Sequence, residues 1–113
     1  MGAKLTKAKR GKRRWIGLSL SPEYTSRSIL EQTLKNIGKE INISKSIRLY
    51  DFTPPAEDRN RGRAIILIGL EFSSVLRNFL SIQTDLGIES LTTSGKIRLV
   101  RERLGLKKPK KQH

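Results

Sequence analysis

The sequence contains no cysteine, which excludes disulfide bonds and zinc sites built from thiolates. Histidine occurs once, at the last position, His113, so no internal imidazole is available as a general base or a metal ligand. Without a cysteine nucleophile or a second histidine, most catalytic arrangements of side chains are excluded. We therefore expect neither catalytic residues nor metal ligands in this chain.

Long hydrophobic runs are also missing. No stretch approaches the roughly 18 consecutive apolar residues of a membrane-spanning helix. Residues 1–15 are basic and lack the apolar segment of a secretory signal peptide. Neither basic end carries the Trp, Phe and Leu face of an interfacial helix. These features predict a cytoplasmic protein with no membrane partner.

Positive charge, by contrast, is abundant and concentrated at the two ends. The 24 Lys and Arg residues outnumber the 10 Asp and Glu residues, giving a net charge of +14. Residues 1–14 hold seven cations and no acid, residues 96–113 hold eight cations and one acid, and residues 15–95 are neutral overall. Blocks of like charge usually become ordered on an opposite charge. They could serve solubility alone, but we expect them to contact phosphates, with salt-sensitive affinity.

The length of 113 residues and the 35% hydrophobic content predict a single domain with a modest core. We place a basic arm at residues 1–13, the domain at 14–105 and a basic tail at 106–113. Strands are predicted at 14–20, 46–52 and 63–70, with a fourth from residue 88. Helices are predicted at 26–41, around 73–80 and from residue 96.

Serines are candidate caps for the first two helices. Ser28 and Glu31 have the spacing of a capping box, and Ser73 or Ser74 is placed to cap the second helix. The order of elements predicts an α+β fold, a ferredoxin-like (split βαβ) sandwich. In it an antiparallel sheet carries helices on one face, and a C-terminal basic helix is appended.

The third strand, residues 63–70, is apolar on both faces, which is typical of a central strand covered on both sides. Single-stranded RNA is usually bound by aromatic residues on such strands, but residues 61–68 carry Arg or Ile where aromatics would stack. We therefore expect the second face to dock a protein rather than bases. The candidate interface residues are Trp15, Tyr50, Phe52, Ile66 and Ile68. The three aromatics could equally cover the edge of the core.

Contact with RNA is expected at the two basic ends. The corner Thr92–Gly95 precedes a helix whose free N–H groups favour a phosphate, although Ser94 could be a plain N-cap. The arginines of that helix can each bind phosphate with two hydrogen bonds. The predicted RNA-binding residues are Lys9, Arg10, Lys12, Arg13, Arg14, Ser94, Gly95, Lys96, Arg98, Arg101, Arg103, Lys107 and Lys108.

Several of these segments resemble protein component 2 of archaeal ribonuclease P, whose eukaryotic counterpart is shared with RNase MRP. The similar segments are Lys12–Ile16, Gly62–Ile66, Leu76–Arg77 and, most tellingly, Leu91–Arg98. The resemblance spans roughly residues 12–104 and implies a ferredoxin-like fold.

It further implies a subunit of the RNA-based endonuclease that removes the 5′ leader from precursor tRNA. In that family the catalytic groups and the magnesium ions belong to the RNA, so the protein needs no cofactor of its own. The implied partners are ribonuclease P RNA, protein component 3 and further subunits, with a homodimer inside a heterotetramer as one arrangement. A small basic ribosomal protein is the alternative, and a basic protein of chromatin or membrane surfaces is a third.

Overall fold

A computed structural model describes residues 12–43, 46–55 and 61–106 of the chain. Within them the chain forms four strands, three α-helices and a short 3₁₀ turn. These elements are β1 (Arg13–Leu20), α1 (Arg27–Glu40), β2 (Arg48–Thr53), β3 (Gly62–Gly69), α2 (Leu70–Ile82), the 3₁₀ turn (Thr84–Leu86), β4 (Ile88–Ser94) and α3 (Ile97–Leu104). The first strand thus begins one residue inside the predicted basic arm.

The four strands form one sheet in the order β2-β3-β1-β4, and every neighbouring pair is antiparallel. Strands β1 and β3, which are not consecutive in the chain, occupy the centre. This order, with one helix after β1 and another after β3, is the ferredoxin-like arrangement. The predicted fold class is confirmed.

The main core lies between one face of the sheet and helices α1 and α2. Ile16, Leu18 and Leu20 of β1 are fully buried there, as the alternation in the sequence predicted. They pack with apolar side chains from the other elements, chiefly Leu30, Leu34, Ile37, Ile66, Ile68, Leu76 and Leu80. Burial of each such side chain contributes about 1.5–3 kcal/mol relative to its exposure, so this layer supplies most of the driving force for folding.

Both predicted helix caps differ from the structure. Helix α1 is capped by Ser26, whose Oγ accepts a hydrogen bond from Ile29 N (3.4 Å), and not by Ser28. Helix α2 starts immediately after β3, with Gly69 as its N-cap and no side-chain cap. Ser73 is therefore buried inside the helix rather than at its start. The sequence prediction placed the boundary between β3 and α2 too late, because apolar residues run continuously from β3 into α2.

The second face of the sheet is partly covered by α3. Val100 and Leu104 of this helix pack with Ile65 of β3 in a second, smaller apolar cluster. The approach requires Gly17 of β1, because a Cβ there would lie 2.9 Å from Val100 Cγ1 and 3.0 Å from Leu104 Cδ2. The basic helix is therefore an integral layer of the fold rather than an appendage.

Strand β2 contains an irregularity that the sequence pattern did not reveal. Leu49 pairs with Ile66 and Asp51 with Ile65, so Tyr50 is an extra residue in the ladder, as in a β-bulge. Beyond it the alternation is reversed, and Phe52 packs against the main core. Arg27 of α1 fixes this bend by donating hydrogen bonds to the carbonyls of Leu49 (2.8 Å) and Tyr50 (3.3 Å).

Candidate nucleic-acid interface

The described parts of the two basic segments meet at one end of the sheet, where residues 12–14 lie beside the turn that contains Gly95 and Lys96. Strand β1 starts and β4 finishes at this end because the two strands are antiparallel neighbours, with Trp15 opposite Ser94. A Cβ on Gly95 would lie 3.3 Å from Arg14 Nη1, so the guanidinium of Arg14 reaches the turn after β4. Cations separated by about 80 positions in the sequence thus form one surface.

The predicted corner Thr92–Gly95 is shorter in the structure. Strand β4 continues through Ser94, and Lys96, with extended backbone (φ −126°, ψ 125°), is the N-cap of α3. Ser94 is not the N-cap, but its Oγ accepts a hydrogen bond from Lys96 N (3.1 Å). This bond shapes the turn and leaves the Lys96 side chain exposed.

The three arginines of α3 have different roles. Arg101 donates hydrogen bonds from Nε (2.9 Å) and Nη2 (2.7 Å) to Asp51 Oδ2 on β2. Arg103 donates from Nη1 to Thr92 Oγ1 (2.8 Å) and to the Thr93 carbonyl (3.2 Å) on β4. These two arginines therefore hold α3 against the sheet. Arg98 is exposed, so it is free to reach outward, as the sequence predicted for all three.

The structure places the remaining predicted RNA-binding residues as follows. Lys12 and Arg13 are exposed at the start of β1, and Arg14 is half-buried beside Gly95. Lys9, Arg10, Lys107 and Lys108 lie outside the described residues.

An arginine that the sequence interpretation did not include also lies on this surface. Arg48 of β2 pairs with Leu67 of β3, which pairs with Trp15 of β1, which pairs with Ser94 of β4. Directly paired residues share a face, so these four form a row across the sheet on the face that α3 occupies. Arg48 is exposed. The strand pattern alone gave no signal for it, because its neighbours in space come from three distant segments.

Of the five predicted protein-interface residues, Tyr50 is exposed and Trp15 is half-buried beside it, on the face that α3 occupies. The rings of Trp15 and Tyr50 meet edge to face, with centroids 4.6 Å apart and an interplanar angle of 86°, and Tyr50 is 41% exposed. The expectation that Ile66 and Ile68 lie on an accessible face is wrong, because both are fully buried beneath α1 and α2. Phe52 is also turned to that side, by the bulge at Tyr50.

Arg61 lies at the other end of the sheet, where it stabilises the fold. Arg61 donates a hydrogen bond from Nε to Ser19 Oγ (2.6 Å) and from Nη2 to the carbonyls of Ser19 and Gly87 (3.3 Å each). Its guanidinium thus ties the end of β1 to the residue before β4. These contacts occupy Nε and Nη2 of Arg61 within the protein.

The acidic residues Asp51 and Glu71 of the described segments lie on different elements. Asp51 is bound by Arg101, and Glu71 lies in the first turn of α2. No group of three His, Cys, Asp or Glu side chains suited to a metal ion occurs among residues 12–43, 46–55 and 61–106. Glu57 and Asp58 lie outside those segments.

No protein-family model matches the sequence, and no match was found among curated proteins or solved structures. In the part of the chain that the structure describes, no helix is long and apolar enough to cross a bilayer.

Proposed function

We propose that this chain is a non-catalytic, RNA-binding protein subunit of ribonuclease P, which supports the catalytic RNA in removing the 5′ leader from precursor tRNA. The observation that carries the proposal is the proximity of residues 12–14 to Gly95 and Lys96, which brings the described parts of both basic segments to one end of a neutral ferredoxin-like body. The resemblance in residues Leu91–Arg98 supports the choice of RNA, since this segment forms the turn and helix at that end.

The proposed mode of action is contact with the RNA backbone. The end of the sheet where β1 starts and β4 finishes, called the basic end below, carries the exposed side chains of Lys12, Arg13, Lys96 and Arg98. Each cation that neutralises a phosphate releases counterions, so affinity depends steeply on salt. Contacts of this kind position and stabilise a folded RNA without reading its sequence.

The chemistry of cleavage is assigned to the RNA and its magnesium ions, and the protein acts with component 3 of the same enzyme. The described residues offer hydrogen-bond donors and positive charge for this role. Asp51, on the sheet face that α3 occupies, is already neutralised by Arg101.

Reconstitution with catalytic RNA tests the proposal. The chain alone should leave precursor tRNA intact, whereas adding it together with component 3 to the RNA should raise the cleavage rate. Lys96→Ala combined with Arg98→Ala should weaken this effect at moderate salt. Lys35→Ala combined with Lys39→Ala is the matched control, because it removes two exposed cations from α1.

Two results would overturn the proposal. One is cleavage of precursor tRNA by the purified protein without RNA. The other is co-sedimentation of the protein with ribosomal subunits at high salt, with no affinity for ribonuclease P RNA, which would assign it to the ribosome instead.

A further inference from the structure

Helix α3 leaves a strip of its sheet face uncovered, on the side of β2. The helix packs on Gly17 and Ile65 near the middle of the sheet. The uncovered strip holds the exposed aromatic ring of Tyr50, in contact with Trp15, and the exposed guanidinium groups of Arg13 and Arg48. An aromatic pair thus lies beside two cations on this face of the sheet.

A recess opens on the same face of the sheet as the aromatic pair. Arg13 and Arg48 are among the residues that line it, with Leu67, Gly69 and Ser46. Because Leu67 pairs with both Trp15 and Arg48, the recess and the rings belong to the same part of the sheet. Adjacent strands are about 4.8 Å apart, so Arg48 and Trp15, two strands apart, are separated by roughly 10 Å along the row.

We propose that this strip binds an unpaired segment of RNA, with one base stacked on Tyr50 and the adjoining phosphates held by Arg13 and Arg48. The inference rests on the proposed RNA-binding function and adds a second kind of contact to it. Stacking on aromatic side chains beside a cationic track is the general means of binding single-stranded nucleic acid, and it tolerates any base.

The surroundings of the strip favour RNA over a protein segment. The row that contains Trp15 ends at Ser94, so the strip is continuous with the turn and the exposed Lys96 of the basic end. Asp51, which follows Tyr50 in the chain, is neutralised by Arg101 and does not oppose a phosphate. Arg27 donates hydrogen bonds to the carbonyls of Leu49 and Tyr50, which hold the backbone of the bulge that turns the Tyr50 ring to this face.

Trp15 is the one tryptophan of the sequence and reports directly on the strip. The full-length protein is titrated with a 12-nucleotide oligouridylate and, separately, with a blunt 12-base-pair RNA duplex at the same salt concentration. We expect the single strand to quench Trp15 emission on binding. The duplex, whose bases are already stacked, should bind the basic end with little change in emission.

Variants of Tyr50 separate stacking from charge. Tyr50→Ala should weaken binding of the oligouridylate by roughly 5- to 100-fold, with no change in the salt dependence. Tyr50→Phe, which keeps the ring, is the matched control and should bind like the unmodified protein. Arg48→Ala should weaken binding and also reduce the salt dependence.

Three results would overturn the proposal that the strip binds RNA. If the single strand leaves Trp15 emission unchanged and Tyr50→Ala binds it as tightly as the unmodified protein does, the strip does not bind RNA. The basic end then remains an RNA-binding site. Trp15 emission that responds to component 3 but not to the oligouridylate assigns the strip to a protein contact and also overturns the proposal. If neither oligonucleotide binds, both the proposed RNA contact of the strip and the proposed function are overturned. The emission measurement uses the unmodified chain and does not depend on the folding of any variant.

Discussion

The guanidinium of Arg101 donates two hydrogen bonds to one oxygen, Oδ2, of Asp51, from a residue 50 positions away in the chain. The two side chains are 25% and 32% exposed, so solvent screens the pair less than it screens an ion pair on the open surface. This contact connects the last helix to the edge strand β2 and extends its attachment beyond the apolar contacts of Val100 and Leu104.

Removal of this contact should destabilise the fold. We expect Arg101→Ala to lower the free energy of unfolding by about 1–2 kcal/mol, since a hydrogen bond to a charged group is lost. Urea unfolding measures this, and a double-mutant cycle with Asp51→Ala should show most of the loss as coupling. Glu31→Ala is the control, because it breaks the exposed Arg27–Glu31 pair and should cost less than about 1 kcal/mol. No coupling between Arg101 and Asp51 would contradict the role assigned here.

Gly17 should be intolerant of any side chain. A Cβ at this position would meet Val100 Cγ1, Leu104 Cδ2 and Thr92 Cγ2 at 2.9–3.0 Å, so we expect Gly17→Ala to cost about 1–3 kcal/mol. Val100→Ala should relieve part of this cost in the double variant. Gly95→Ala is the comparison, because its Cβ would meet the mobile end of Arg14 at 3.3 Å. Equal thermal midpoints for the two single variants would show that α3 is not seated as described.

Arg98 and Arg101 should differ in their effect on RNA binding. Arg98 is exposed and available to a phosphate, so Arg98→Ala should reduce the slope of log affinity against log salt by about 0.7–0.9. Arg101→Ala should change this slope less, since its guanidinium is already bound to Asp51. Fluorescence anisotropy with a structured RNA over a range of salt concentrations measures both slopes. A larger change for Arg101 would mean that RNA competes for this arginine.

Alkaline pH should weaken the fold through Tyr24. Burial raises the pKa of this phenol above its usual value, and its hydroxyl donates a hydrogen bond to the Leu86 carbonyl (2.7 Å). Because the folded-state pKa exceeds the unfolded one, the folded state favours the protonated phenol. Its contribution is complete below about pH 10 and declines as the pH rises further.

Tyr24→Phe isolates this effect. The variant should be less stable than the unmodified protein at neutral pH, because the hydrogen bond is lost, but it should lose less stability between about pH 9 and 11. The contributions of all other groups are common to both proteins and cancel in the comparison. Parallel loss of stability in the two proteins over this range would contradict a raised pKa for Tyr24.

The elements of the fold follow from the sequence because their signals are local. Alternation in 14–20 and the stripe of Leu30, Leu34 and Ile37 depend on residues within one or two turns, and both elements are found where expected. The order of elements then predicted the ferredoxin-like class. Caps and strand ends were less accurate, as Ser26 and Gly69 show, because several neighbouring residues could fill each role.

The charge distribution was likewise determined by the sequence, while its arrangement in space required the tertiary structure. Antiparallel pairing of β1 with β4 brings Arg14 beside Gly95, and the bulge at Tyr50 sends that ring toward Trp15 and Phe52 into the core. Strand register and the choice of sheet face depend on contacts between distant segments, so no local pattern contains them. For the same reason, the sequence identified α3 as basic, and only packing against Gly17 and Asp51 decided which of its arginines face outward.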